Sequence, residues 1–254
     1  MIDLHSHIAW NIDDGMPNKT DALEALQMAQ NDGITAICST PHFVPGQMDA
    51  KMVQRIHARQ EELRDISPIH IYFGAEVMMN SSFIEELDEK WYQPINGTKY
   101  MLVEYDVRKG IHRISNFMDP LYELRVRGYI PVLAHIERYF HHGLDWDIIH
   151  AWQEEGYVLQ INRPSIMGMH GKQMEKNAKE LLVHGVGHVV ATDTHRARGY
   201  RVECLSDAYG IVSKWIGTEN AELLFNQNPM SILQGKDVCD VTIKKKRRFH
   251  FFGR

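Results

Sequence analysis

At 254 residues, 44% hydrophobic and with a formal net charge of −5, the chain can build the core of one large α/β domain. Its three cysteines, Cys38, Cys204 and Cys239, form no C-x-x-C pair, and no arginine lies six positions after any of them. That excludes a disulfide framework, a zinc ribbon and the phosphate loop of a cysteine-based phosphatase.

Charge is distributed unevenly: residues 243–254 hold six basic residues and no acid, which leaves −11 on residues 1–242 and argues against a nucleic-acid enzyme. No Gly/Ser-rich or Pro-rich linker, internal repeat or bilayer-length apolar run interrupts the sequence. Asp3, His5 and His7 occupy the place where a secretory signal would carry its basic and apolar regions, so the protein is expected in the cytoplasm.

The chain opens with a short apolar run that delivers His5-Ser6-His7. In a strand, side chains two apart share a face, so the two imidazoles point the same way and suggest one metal. The next loop carries Asp13-Asp14-Gly15, and Asn18 or Thr20 can cap a helix in which Leu23, Leu26 and Ala29 recur at helical spacing, stopped by Gly33. Residues 34–39 are β-rich and end in Thr40-Pro41-His42. A helix over about 49–66 leads to a third apolar run, 69–73, which ends in Gly74-Ala75-Glu76.

The pattern repeats. Residues 100–103 end at Glu104, a helical stretch lies within 111–127, and 129–133 end in Ala134-His135-Ile136-Glu137-Arg138. A strand at 157–161, a helix around 172–184 and a strand at 188–191 lead to Thr192-Asp193-Thr194-His195. Seven strands alternating with helices predict right-handed β-α-β units, a parallel sheet and a closed or nearly closed barrel; an open doubly wound sheet is the alternative.

In such a barrel the loops after the strands share one face, so His5, His7, His42, Glu76, Glu104, His135, Asp193 and His195 converge, joined by Asp14 from the first loop. Nine imidazole and carboxylate ligands exceed what one ion can use, and a mixed N/O set without thiolate suits Mn²⁺, Fe²⁺ or Zn²⁺. A carboxylate bridging ions roughly 3.5–4 Å apart activates water and clamps an in-line phosphoryl displacement, so phosphate-ester hydrolysis is the expected chemistry.

Met1-Ile-Asp-Leu-His-Ser-His-Ile, Ile12-Asp-Asp-Gly, Ser39-Thr-Pro-His, Gly74-Ala-Glu, Val103-Glu, Ala134-His-Ile-Glu-Arg-Tyr and Asp193-x-His together resemble the polymerase and histidinol phosphatase (PHP) superfamily. Within it, the set resembles the bacterial manganese-dependent tyrosine-protein phosphatases of capsule and exopolysaccharide regulation. The resemblance covers about residues 1–235 and includes Asn228-Pro229. It implies a single domain, 1–242, folded as a distorted TIM-like (β/α)7 barrel with three divalent ions, Mn²⁺ first and Fe or Zn as alternatives. His5, His7, Glu76 and Asp193 would hold one ion. Glu76 would bridge to a second, shared with Glu104 and His135, and Asp14, His42 and His195 would hold the third.

The same resemblance makes Arg138 a phosphate ligand and expects another arginine shortly after Asp-x-His. That position falls at Tyr200, with Arg201, one residue late, as its replacement and Arg198 as the alternative. The implied reaction is attack of a metal-bound hydroxide on phosphotyrosine, without a phosphoenzyme, on a membrane-associated tyrosine autokinase. A phenol of pKa about 10 leaves without much help from an acid, which is consistent with an aryl phosphate. A histidinol-phosphatase-like small-molecule activity and a non-catalytic phosphopeptide-binding module are the rival readings. Arg108, Lys109, His112 and Arg113 could meet an acidic phosphopeptide or form a solvated helix start. The tail, 243–254, interleaves basic residues with Phe249, Phe251 and Phe252; it suits either contact with an anionic membrane surface or a flexible solubilising end.

Overall fold

The structure, a computed structural model, describes residues 1–89 and 92–243, so the basic tail beyond residue 243 lies outside the described residues. Among these, nine strands follow in chain order: β1 (Ile2–Ser6), β2 (Ala36–Ser39), β3 (His42–Phe43), β4 (His70–Phe73), β5 (Glu76–Met78), β6 (Tyr100–Glu104), β7 (Ile130–Leu133), β8 (Val158–Asn162) and β9 (Val189–Ala191). Every ladder is parallel, in the orders β1-β2-β4 and β3-β5-β6-β7-β8-β9. Parallel neighbours need crossovers, and helices supply them.

Helix α1 (Lys19–Asp32) lies between β1 and β2, α2 (Ala50–Ile66) between β3 and β4, α3 (Phe83–Glu86) between β5 and β6, and α4 (Met118–Val126) between β6 and β7. Next come α5 (Trp146–Glu154) before β8, then α6 (Arg163–Ile166) and α7 (Lys172–Val183) before β9. The chain closes with α8 (Ser206–Ile216), α9 (Thr218–Glu222) and α10 (Asn228–Leu233). Of the two caps expected for α1, Asn18 is the one used: its side chain accepts from Asp21 N, and Gly33 ends the helix at φ 84°.

Two strands expected to run unbroken to a ligand residue are bent instead. Pro41, which has no N–H for a ladder, separates β2 from β3, and Gly74-Ala75 separates β4 from β5. Pairing nonetheless continues through both bends, with Gly74 N donating to Ser39 O (3.0 Å) and Glu76 N to Pro41 O (3.1 Å). Buried Gln60 of α2 pins the bends by donating Nε2 to the carbonyls of Ser39 and Gly74, each at 3.0 Å. A Cβ on Gly74 would lie 3.2 Å from Cys38 Sγ, so glycine lets the two bent strands approach.

The far edge returns to the beginning. Asp193 N donates to His5 O (2.8 Å) and His7 N to Thr194 O (2.9 Å), joining the end of β9 to the end of β1 and curling the sheet. Alternation along the strands splits their apolar side chains between two clusters. Ile2, Leu4, Leu102, Val132, Val158 and Ala191 fall in one, with Ile232 and Leu233 of α10. Val103, Leu133, Leu159 and Val190 fall in the other, with Leu26, Leu63, Leu121, Trp152 and Leu181 of the helices. No helix among the described residues is long and apolar enough to cross a membrane.

Candidate metal centre

The nine residues singled out in the sequence come together where the strands end. Glu76, only 1% exposed, is the hub: its carboxylate lies 3.2 Å from His5 Nε2, 3.1 Å from His7 Nε2, 3.1 Å from His42 Nδ1 and 3.0 Å from His135 Nε2. Asp193 Oδ1 is 3.6 Å from both His5 Nε2 and His7 Nε2. Glu104 reaches His42 Nδ1 at 3.1 Å and His135 Nε2 at 3.5 Å. On the open side, Asp14 Oδ1 sits 3.2 Å from His195 Nε2 and 3.4 Å from His42 Nε2.

Local backbone geometry aims these groups. His135 and Asp193 leave β7 and β9 in the left-handed region, at φ 36° and 52°, which costs on the order of 1–3 kcal/mol for each non-glycine residue. Gly15 folds the first loop so tightly that an added Cβ would meet His7 O at 2.3 Å, which brings the Asp13-Asp14 pair onto the cluster.

Three imidazoles have Nδ1 engaged: His5 with Gln160 Oε1 (3.1 Å), His7 with Asp13 Oδ2 (2.7 Å) and His195 with Asp193 O (3.0 Å). Each of these partners is an acceptor, so Nδ1 carries a proton and Nε2 is the nitrogen turned to the cluster, the one that would be free to bind a metal in the neutral ring. Gln160 Oε1 also accepts from His135 N (3.0 Å), and its amide donates to Asn162 Oδ1 (2.7 Å), whose own amide donates to Asp193 Oδ2 (2.7 Å). Gln160 and Asn162 are positioning residues that sequence reading missed; the only signal was two polar residues alternating along β8.

Burial opposes charge here, yet the site stays charged because opposite groups face each other. Against its burial, Glu76 and Asp193 lift His5 to about 9. Against the same burial, His5 and His42 hold Glu76 well below the usual carboxylate range, and His5, Arg201 and His195 do the same for Asp193. His195 moves the other way, to about 4, through burial and the neighbouring His7.

The donor set fits divalent ions. Three overlapping groups each bring their ligand atoms within 4.8 Å of one another: His7, Asp14, His42 and His195; His5, His7 and Asp193; and His42, Glu76 and Glu104. His42 Nδ1 and Glu104 Oε1 are buried and 3.1 Å apart, but neither makes a hydrogen bond among the described residues. Close but misaligned donors of this kind aim at a common point, not at each other.

A cavity of about 390 Å³ opens over seven of the nine, and Arg138 and Arg201 also line it. Arg138 Nη1 lies 3.4 Å from Asp193 Oδ2, and Arg201 Nη2 lies 2.5 Å from Asp193 Oδ1. Loop 196–201 doubles back through Arg201 O, which accepts from His195 N and Arg196 N, so Arg201 re-enters the site while Tyr200 stays 52% exposed. Arg198 instead pairs with Glu24 on the surface. Glu137 is occupied by Ser165 Oγ (2.6 Å) and is not the partner of Arg138. The Cys38 thiol is pushed up by burial, which removes it as a nucleophile.

The capsular polysaccharide synthesis family CpsB/CapC matches residues 1–234. The tyrosine-protein phosphatase YwqE of Bacillus subtilis is 29% identical over 269 residues, covering 99% of this chain and all of that protein. A crystal structure from a study of YwqE and of CpsB from Streptococcus pneumoniae, described there as metal-dependent tyrosine phosphatases, superposes with TM-score 0.80 at 27% identity, over 94% of this chain and 97% of that one. A histidinol phosphate phosphatase from Lactococcus lactis, complexed with zinc, shares the fold at TM-score 0.52 and 16% identity, over 88% of this chain and 94% of that one. With its ligand motifs, its curled parallel sheet and a match over nearly its whole described length, the chain belongs to the CpsB/CapC family of capsular polysaccharide synthesis proteins.

Proposed function

We propose that this protein is a metal-dependent protein tyrosine phosphatase acting on a bacterial tyrosine autokinase that controls capsule or exopolysaccharide synthesis. The observation that carries the reading is the convergence of nine metal-type side chains in one cluster, under a cavity that two arginines also line. The named activities of the YwqE and CpsB relatives support it. Counting β2 with β3 and β4 with β5 as single bent strands, we read the fold as seven β/α units, a distorted TIM-like barrel.

In this reading His5, His7, Glu76 and Asp193 hold one ion, Glu76, Glu104 and His135 a second, and Asp14, His42 and His195 a third, with Mn²⁺ as the metal and Fe or Zn as alternatives. Bound ions of this kind lower the pKa of water and neutralise phosphoryl oxygens. The chain's own part is orientation and charge. Arg138 and Arg201 approach opposite oxygens of Asp193, so their remaining N–H groups are fixed at the cavity wall to take phosphate oxygens as two planar forks. The phenolate of tyrosine departs without a dedicated acid. The enzyme acts in the cytoplasm, at the inner face of the membrane where its kinase partner sits.

Chelation should abolish phosphate release from a phosphotyrosine peptide and added Mn²⁺ should restore it, with metal content followed by elemental analysis. A higher kcat/KM for histidinol phosphate than for the peptide would overturn the substrate. Peptide binding without phosphate release would overturn catalysis.

A further inference from the structure

The loops after β5 and β6 enclose a second cavity of about 700 Å³ beside the metal pocket. Val44, Met78, Asp106 and Arg108 line both, so the two form one continuous depression. Its volume falls in the range of pockets that enclose a ligand of several rings or side chains, and none of the nine metal-type residues lines it. The cavity is amphipathic. Met79, Ile84 and Phe117 give it an apolar surface, and Ile84, at 39% exposure, is one of the few large aliphatic side chains left open to solvent. Methionine adapts its shape to whatever side chain it meets, so an apolar wall with Met78 and Met79 accepts more than one residue type.

Three cations, Arg108, Lys109 and Arg113, stand along the same cavity. Arg108 is spent on Asp106, through Nε at 2.8 Å and Nη2 at 3.1 Å, and Lys109 lies 4.0 Å from the same carboxylate. Arg113 has no carboxylate within ion-pair distance among the described residues. An uncompensated guanidinium beside an apolar slot stands out on residues 1–242, which carry a net −11. On so acidic a body, such a patch selects for negative charge in its partner.

We propose that this groove holds the peptide segment flanking the phosphotyrosine, seating an apolar side chain among Met79, Ile84 and Phe117 and an acidic side chain against Arg113. The inference rests on the phosphatase reading above and adds to it a sequence preference. Discrimination comes from residues the chemistry never touches, and small aryl phosphates escape it entirely.

The test uses the full chain loaded with manganese and three substrates: p-nitrophenyl phosphate, a phosphotyrosine peptide with neighbouring Leu and Glu, and the same peptide with Lys replacing Glu. Arg113→Glu and Ile84→Ser alter the groove alone. Expected for Arg113→Glu is a KM for the Glu peptide about tenfold higher, improved turnover of the Lys peptide, and kcat/KM for p-nitrophenyl phosphate within about twofold of wild type. Ile84→Ser should raise the KM of both peptides and leave p-nitrophenyl phosphate unchanged. Equal peptide KM values in wild type and Arg113→Glu would overturn the groove while leaving the phosphatase reading intact. If Ile84→Ser instead changes the sedimentation mass and not the peptide KM, the face is a contact between copies and the proposal falls. A wild-type enzyme that hydrolyses none of the substrates would overturn the phosphatase reading and the groove with it.

Discussion

Two glutamates in this molecule are equally hidden from water, Glu76 at 1% exposure and Glu203 at 0%, and their surroundings push their carboxyls in opposite directions. Glu76 is ringed by four imidazoles within 3.2 Å and stays ionised. Glu203 accepts from Ser6 Oγ at 2.8 Å and has no cation beside it among the described residues to oppose its burial; burial first, and the neighbouring Asp3 second, push its carboxyl well above the usual range. Depth therefore does not mark a functional carboxylate. The company of cations separates the two, and of these two glutamates it is Glu76 that the proposed reading has exchanging protons for metal.

Replacing each carboxyl by an amide of nearly the same shape would sharpen that contrast. Glu76→Gln should strip the centre of metal, read by elemental analysis, and lower kcat/KM on a phosphotyrosine peptide by about 10³-fold or more, since one carboxylate serves four imidazoles. A variant with full metal content would sink the idea that Glu76 is the hub. Arg138→Ala, one layer out, should keep the metal and the Tm while kcat/KM falls about 10²-fold, the scale of losing one transition-state donor. A near-normal rate would reduce Arg138 to a partner of Asp193.

Glu203→Gln should do least to the reaction, leaving kcat/KM within about twofold of wild type. Its effect belongs to stability. A carboxyl raised on folding binds more protons in the folded than in the unfolded state, so its contribution to stability is lost as pH climbs from the ordinary value of 4.5 toward the elevated one. Denaturation from pH 5 to 8 should therefore show a shallower decline for Glu203→Gln than for wild type. An unchanged slope would mean that Glu203 is ionised in the fold.

The two glutamates also differ in how legible they were. Glu76 ends an apolar run inside Gly74-Ala75-Glu76, and the other ligands likewise end or follow strands, so hydrophobic periodicity and residue type sufficed to gather them. Glu203 lies in Val202-Glu203-Cys204, with nothing nearby to announce that Ser6 and Asp3 would cover it. Gln160 and Asn162 were hidden for a related reason: inside a buried strand, polar residues look like interruptions until their long-range partners are known. The bends at Pro41 and Gly74 depend on Gln60 reaching across from α2, a contact no local pattern encodes. Helix α5, capped by Asp145, was not anticipated between the β7 and β8 runs. Arg201 was legible as a candidate, but its entry into the cavity depends on a loop closed by its own carbonyl.

The seam between β1 and β9 ties assembly of the site to the order in which the chain is made. Asp193 N to His5 O and His7 N to Thr194 O are formed by ligand residues or their neighbours, so the backbone bonds that join the sheet's ends also set the spacing of the first imidazole pair. Those partners are separated by most of the polypeptide, a contact of very high sequence separation that forms late and slowly. During vectorial synthesis His5 and His7 emerge first and must wait, without Asp193, until the ninth strand has left the ribosome. In the proposed reading, metal capture by the completed set would thus report that the whole described domain has folded, and a truncated product would hold the first two histidines but not the centre.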